Sequence, residues 1–169
     1  MLNRDIYQKD PSTRKLVNEG VASVNDENTN QALSVLRYEL ETFVCDGQYE
    51  KGLEHILDIY LDNIKHDRAE QPGVWVSGFY GSGKSHLVKM LRALWMDTTF
   101  DDGAVARGIT TLPKSVSDQL IALSIEAKRH SGLHAASGTL GSSSRDKSVR
   151  MPLLGILFTI SLSGCVVYE

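Results

Sequence analysis

Residues 78–85 place three glycines, a lysine and two serines in one short stretch, which reads G-F-Y-G-S-G-K-S. Glycine accepts positive φ angles and has no Cβ, so the backbone can approach an anion closely and turn successive N–H groups toward it. Lys84 adds a positive charge, and the hydroxyl of Ser85 suits a magnesium ion. The spacing satisfies G-x-x-x-x-G-K-[ST], the phosphate-binding loop called Walker A. The stretch therefore predicts a site for a nucleoside triphosphate.

We expect the nucleotide site to extend one residue beyond this motif. It comprises Gly78, Phe79, Tyr80, Gly81, Ser82, Gly83, Lys84, Ser85 and His86. Lys84 is expected to reach the β- and γ-phosphates, and Ser85 is expected to ligate Mg²⁺. The alternative is a chance match in a glycine-rich turn, and the flanking elements argue against it.

The predicted elements on either side of the motif are those that a phosphate loop needs. Val74–Val76 combines β-branched and aromatic residues, as a buried strand does. From Lys84 to Trp95 the apolar residues return to helical spacing, so a helix would direct its positive N-terminal end at the loop. We therefore predict an α/β fold with a P-loop NTPase-type parallel sheet, incomplete at the C-terminus, in which Val74–Ser77 is a central strand. An α-helical N-terminal segment is expected to precede this sheet.

Two helices are predicted before the motif. Apolar residues follow helical spacing over 31–45, and Asp46-Gly47 is expected to close that helix. A second helix is predicted over 49–64, where an apolar stripe forms one face and the charged residues lie largely off it. Such a stripe could bind a partner, but packing within its own domain is the favoured interpretation.

Fewer elements are predicted after the motif. A loop over 97–111 is expected to precede a helix over 116–128, with Ser115 as the helix cap. A short strand is expected around 133–136. The stretch 151–168 contains no charged side chain, but its proline and glycine residues favour a buried helix followed by a strand over a membrane span.

Composition limits the class of protein. The chain has 169 residues, 41% of them apolar, which suits one globular domain. Its net charge is −3 and its charges are of mixed sign, so no strong overall field attracts nucleic acid or an anionic membrane. The N-terminus has no apolar core of a secretory signal, and Cys45 and Cys165 lie far apart in sequence. We therefore expect a cytoplasmic protein with no membrane association.

The acidic residues needed for hydrolysis are not evident. A Walker B element would be an apolar strand ending in Asp. The apolar run at Cys165–Glu169 ends in an acid, which we interpret as coincidence. His130 and His134 have helical spacing, but Gly132 lies between them and no cluster of Cys or carboxylates is near, which argues against zinc. Catalytic residues, and enzyme activity itself, are left unassigned.

Four separated stretches resemble a known family. They are LNRDIYQKDP near the start, LRYELETFVCDGQYEKGL at 36–53, QPGVWVSGFYGSGKSHLVKMLRALW at 71–95 and SGLHAASGTLG at 131–141. From residue 1 to about 158 the chain resembles the N-terminal end of the large P-loop ATPase of BREX bacteriophage-exclusion systems, the BrxC/PglY family. Members of that family are much longer than this chain.

The resemblance implies ATP as the nucleotide, Mg²⁺ as its metal and other BREX proteins as partners. It leaves a contact with DNA and the oligomeric state open. It also suggests three regions: an N-terminal helical segment at 1–70, the start of a P-loop NTPase domain at 71–158 and an atypical tail at 159–169. Because the tail does not resemble the family, we expect it to come from a frameshift or an early stop.

Three functions are compatible with these observations. The leading hypothesis is an ATP-binding N-terminal fragment of the ATPase component of an antiviral BREX system. The second is a nucleotide-dependent scaffold or switch without turnover. The third is a non-functional truncated remnant. A Walker B strand would separate the first from the second, and the sequence shows none.

Overall fold

The computed structural model describes residues 30–66, 74–129, 132–138 and 165–168, and these are mainly α-helical. The elements in chain order are α1 (Asn30–Thr42), α2 (Gly47–Lys65), α3 (Lys84–Met96), α4 (Ala106–Ile109), α5 (Lys114–Ala127), β1 (Ala135–Gly138) and β2 (Cys165–Tyr168). The strands β1 and β2 pair in parallel, with Ala135 opposite Cys165.

The predicted α/β fold, with a parallel sheet leading into the phosphate loop, is wrong. Residues 74–77 form no regular secondary structure, and Trp75, which a buried strand would hide, is 89% exposed. Within the described ranges the only strands are the four-residue β1 and β2, and neither enters the loop. The physical reason is that β-propensity reflects packing against neighbouring strands, and none of the described strands pairs with Val74–Ser77.

The two helices predicted before the motif are confirmed, with a corrected boundary between them. α1 ends at Thr42, and Asp46-Gly47 opens α2 instead of closing α1. Asp46 has the extended backbone of an N-cap, with φ −140° and ψ 171°. Five apolar side chains of the predicted stripe are buried, namely Leu53, Ile56, Leu57, Tyr60 and Leu61. Because α2 packs along α5, the interpretation that this stripe serves its own domain is also confirmed.

The helix predicted directly after the motif is confirmed as α3. The predicted loop over 97–111 is interrupted by α4 and by an antiparallel bridge between Thr99 and Val105. The predicted cap of α5 is wrong, because this helix begins one residue before Ser115. Pro113 precedes it, and its carbonyl accepts a hydrogen bond from Ser117 N at 3.0 Å.

One hydrophobic core joins the helices on both sides of the motif. The largest side chains with almost no exposed surface come from α1, α2, α3 and α5; they are Leu40, Leu53, Leu57, Met90, Leu94, Val116, Leu120 and Leu123. Burial of each such side chain contributes about 1.5–3 kcal/mol to folding. The core therefore fixes α3, which carries the phosphate loop, against α1 and α2. The domain boundary predicted near residue 70 lies outside the described residues.

The C-terminal predictions are tested in part. The strand predicted around 133–136 is observed slightly later, as β1, and the strand predicted at the end of 151–168 is observed as β2. The helix predicted before β2 lies outside the described residues, as does the N-terminal segment up to residue 29. In the part of the chain that the structure describes, no helix has both the length and the apolar character needed to cross a membrane.

Candidate functional site

The phosphate-loop motif leads directly into the N-terminus of α3. Gly83 caps this helix with φ 83° and ψ 16°, and Gly81 has φ 78°. Both angles lie in the left-handed region, which glycine adopts without strain. The first helical hydrogen bond runs from Leu87 N to Gly83 O at 2.9 Å. The motif thus stands where the first N–H groups of a 13-residue helix have no intrahelical acceptor, next to the positive end of the helix dipole.

The Lys84 side chain folds back across the loop. Its Nζ donates to Gly78 O at 3.1 Å and to Phe79 O at 2.9 Å. These two bonds join the start of the motif to its end and place an ammonium group beside the backbone of residues 78–79. The expected contact between Lys84 and phosphate oxygens stays a prediction; in this structure its Nζ binds two backbone carbonyls of the loop.

Gly78 and Ser82 approach each other closely at the base of the loop. A Cβ on residue 78 would lie 2.7 Å from Ser82 Oγ, a distance that real Cβ atoms do not show. Ser82 N donates to Phe79 O at 3.1 Å and closes a turn over Phe79–Ser82. A side chain at position 78 would therefore require the Ser82 hydroxyl to rotate away, whereas Ser82 Cβ, at 3.6 Å, would be an ordinary contact.

The tip of the loop faces solvent. Phe79 is 90% exposed and Tyr80 is 97% exposed, and Gly81 and Ser82 are also exposed. A dissolved ligand therefore has free access to the tip of this loop.

His86 lies against α1. Its ring centroid is 5.7 Å from that of Phe43, which follows the end of α1. Burial lowers the pKa of His86, Glu39 acts in the opposite direction, and Lys89 lowers it further. The lowered pKa favours the neutral form of this imidazole.

An ion pair ties the first half of α3 to α1. Lys89 Nζ lies 2.6 Å from Glu39 Oε2, and both side chains are largely buried. Losing one partner would leave the other charge buried without compensation, which is strongly destabilising. The pair therefore constrains how α3, and with it the loop, lies on α1.

Arg107 holds the opposite end of α3, a role that the sequence did not reveal. Its guanidinium donates to Leu94 O at 2.6 Å, Trp95 O at 2.9 Å, Leu120 O at 2.9 Å and Ser124 Oγ at 2.5 Å. Its backbone N donates to Asp97 Oδ1 at 3.0 Å. One side chain therefore satisfies carbonyl groups at the C-terminal end of α3 and joins this helix to α5.

Tyr49 is the second residue that sequence reasoning missed, and it touches the motif itself. Its hydroxyl lies 3.3 Å from Ser82 O and 3.4 Å from Gly83 O. Its ring meets Phe43 edge-on at 5.9 Å between centroids. Since Tyr49 precedes Ser82 by 33 residues, no local spacing connects the two. The resembling stretch at 36–53 contains Tyr49, but that stretch does not indicate what the side chain contacts.

The predicted magnesium ligand, Ser85, lies half-buried in the first turn of α3. Among the described residues, no group of three or more His, Cys, Asp or Glu could hold a metal ion. Ser85 could therefore supply one oxygen ligand, and phosphate oxygens and water would have to supply the others, which is a common arrangement for Mg²⁺. His130 lies outside the described residues, so the structure does not test the argument against zinc.

Comparison with known proteins adds no identification. No protein-family model matches the chain, and no solved structure matches it significantly. The chemistry of the loop therefore has to be argued from the residues of this chain alone.

Proposed function

We propose that residues 78–85 bind the triphosphate of ATP together with Mg²⁺. The observation that carries this proposal is the combination of a glycine-hinged loop at the N-terminus of α3 with the Lys84 ammonium folded over that loop. Backbone N–H donors, a helix dipole and a lysine charge then act on the same small region. These are the features by which proteins bind phosphate groups.

The residues of the loop fit this role without rearrangement of the helical core. Lys84 would exchange the two carbonyl groups of Gly78 and Phe79 for phosphate oxygens, which are stronger acceptors because they are charged. Ser85 would hold Mg²⁺, which neutralises charge on the phosphates when bound. The exposed tip leaves room for the rest of the nucleotide.

The biological setting is proposed from the resembling stretches. They support ATP over other nucleotides, other BREX proteins as partners, a cytoplasmic location and a role as part of an antiphage ATPase. The resemblance over 71–95 includes the whole phosphate loop, so the site and the setting are supported by the same residues.

Substitution of Lys84 by alanine tests the nucleotide site. The purified chain is titrated with Mg·ATP by isothermal calorimetry, and Lys51→Ala serves as the matched control because Lys51 is exposed on α2. Loss of a charge-assisted contact should weaken binding by about tenfold or more, while the control should bind as the wild type does. Equal affinity in the wild type and in Lys84→Ala would refute the assignment.

A second function, a nucleotide-dependent switch without turnover, is favoured by one observation. Tyr49, in the first turn of α2, contacts the loop, so a change in the loop conformation would change the contacts of a helix that is distant in sequence. Measurement of phosphate release distinguishes the two functions. Lys84-dependent release supports an ATPase, and Lys84-dependent binding without release supports the switch.

A further inference from the structure

The Tyr49 hydroxyl contacts the two peptide groups that lead into α3. It has a single proton, and its similar distances of 3.3 Å to Ser82 O and 3.4 Å to Gly83 O indicate a bond shared between the two carbonyls. Gly83 O also accepts from Leu87 N at 2.9 Å, which a carbonyl with two lone pairs allows. The hydroxyl therefore favours the observed direction of two consecutive carbonyl groups, and the bond from Leu87 N supports that of Gly83.

The direction of these carbonyls determines the direction of two N–H donors. The C=O of Ser82 shares a planar peptide group with the N–H of Gly83, and the C=O of Gly83 shares one with the N–H of Lys84. Both peptide bonds are trans, so each N–H points away from its own carbonyl. Since Tyr49 holds both carbonyls from one side, the N–H groups of Gly83 and Lys84 are directed to the opposite side.

We propose that Tyr49 is a positioning residue for the phosphate loop: by holding the Ser82 and Gly83 carbonyls, it directs the N–H groups of Gly83 and Lys84 toward bound phosphate. This inference rests on the proposed nucleotide function. It assigns a role to a side chain outside the motif, on α2, and the role is exerted through the backbone without contact between Tyr49 and the ligand.

Two packing features show that the contact is specific. A Cβ on residue 83 would collide with the Tyr49 hydroxyl, so the tyrosine reaches the backbone only because residue 83 is glycine. The edge-on contact with Phe43 fixes the ring from its other side. Phe43 is buried in the core and also contacts His86 in the first turn of α3. The hydroxyl is thus held by side chains that are themselves packed.

The test is the substitution Tyr49→Phe, which keeps the ring and its contact with Phe43 and removes only the hydroxyl. Tyr38→Phe is the matched control, because the Tyr38 hydroxyl makes no hydrogen bond to the loop among the described residues. Each full-length variant is titrated with Mg·ATP and, separately, with inorganic tripolyphosphate, which carries the phosphates without a base. Chemical denaturation checks that all variants are folded at the temperature of the titration.

Tyr49→Phe should weaken binding of both ligands by the same factor, about three- to tenfold, which corresponds to loss of one hydrogen bond. Tyr38→Phe should leave both affinities unchanged. A second measurement follows the backbone amide NMR signals of Gly83 and Lys84 during the tripolyphosphate titration. These two signals should shift strongly in the wild type and much less in Tyr49→Phe at equal saturation.

The outcomes separate this inference from the function on which it rests. If Lys84→Ala abolishes binding and Tyr49→Phe binds as the wild type does, the positioning role is overturned and the nucleotide site stands. If Tyr49→Phe binds more weakly but its Gly83 and Lys84 amides respond as in the wild type, the role is again overturned, because the loss is then only structural. If the wild type binds neither ligand, both proposals fail.

Discussion

Substitution of Gly83 by alanine tests the loop geometry in a quantitative way, because two separate effects are expected. Residue 83 has φ 83°, a conformation that costs an L-residue about 1–2 kcal/mol. The new Cβ would also collide with the hydroxyl of Tyr49. The tyrosine must then move, and it loses its hydrogen bond, worth about 1 kcal/mol, and part of its aromatic contact with Phe43. The free energy of unfolding should therefore fall by about 2–3 kcal/mol.

Gly103→Ala is the matched control for the backbone effect. Gly103 has φ 81°, and a Cβ there would meet nothing within 4 Å. Only the backbone cost of about 1–2 kcal/mol is then expected. The lower entropy of the unfolded chain, which favours alanine over glycine, is the same at both positions and cancels in the comparison.

A double-mutant cycle with Tyr49→Phe isolates the collision. In that background the nearest ring atom, Cζ, lies 3.5 Å from the new Cβ, which is an ordinary contact. Gly83→Ala should then cost no more than Gly103→Ala does, and the coupling energy between positions 49 and 83 should be about 1–2 kcal/mol. Urea denaturation followed by circular dichroism measures all five proteins: the wild type, the three single variants and the double variant. An equal cost of Gly83→Ala in both backgrounds would refute the contact between Tyr49 and the loop.

Three further predictions concern residues outside the loop. Arg107→Ala should lower the free energy of unfolding by about 3 kcal/mol in urea denaturation, because three backbone carbonyls lose a charged donor. The control Arg129→Ala removes an exposed ion pair and should lower it by less than about 1 kcal/mol. Burial raises the pKa of the Cys45 thiol from 9.0 to about 11. The contribution of this thiol to the free energy of unfolding should therefore be constant below pH 9 and fall as the pH rises from 9 to about 11. In Cys45→Ala the same pH series should not show this fall. Acrylamide should quench the fluorescence of Trp75, which is 89% exposed, and not that of Trp95, which is 4% exposed. Trp75→Phe should therefore remove the quenchable fluorescence. Equal quenching in the variant and the wild type would contradict the exposed path of residues 74–77.

The helices could be predicted from the sequence because their signals are local. In α2 the apolar residues recur on one face along the helix, and this periodicity predicts a helix whichever element that face packs against. The boundaries were harder to predict. Asp46-Gly47 suits either the end of one helix or the start of the next, and only the backbone of Asp46 shows that it begins α2. Pro113 similarly displaces Ser115 from the cap of α5.

The sheet was wrongly predicted because its signal is not local. Val74–Val76 has the composition of a strand, but a strand is stabilised by neighbours, and the sequence could not show whether neighbours are present. Tyr49 and Arg107 were missed for a related reason. Each acts through contacts with residues distant in sequence, and neither belongs to a spacing pattern that chemistry would single out.

The two ends of the loop at residues 78–85 are held by different kinds of contact. At the C-terminal end, Tyr49 holds residues 82 and 83, and the core fixes the helix that follows. At the other end, Gly78 and Phe79 accept hydrogen bonds from Lys84, the same group that would turn to phosphate in the proposed complex. Phosphate binding would therefore break the hydrogen bonds from Lys84 to Gly78 O and Phe79 O and leave the Tyr49 contact intact. This difference explains why a positioning role fits Tyr49 better than Lys84: a group that orients the backbone has to keep its contact when the ligand arrives.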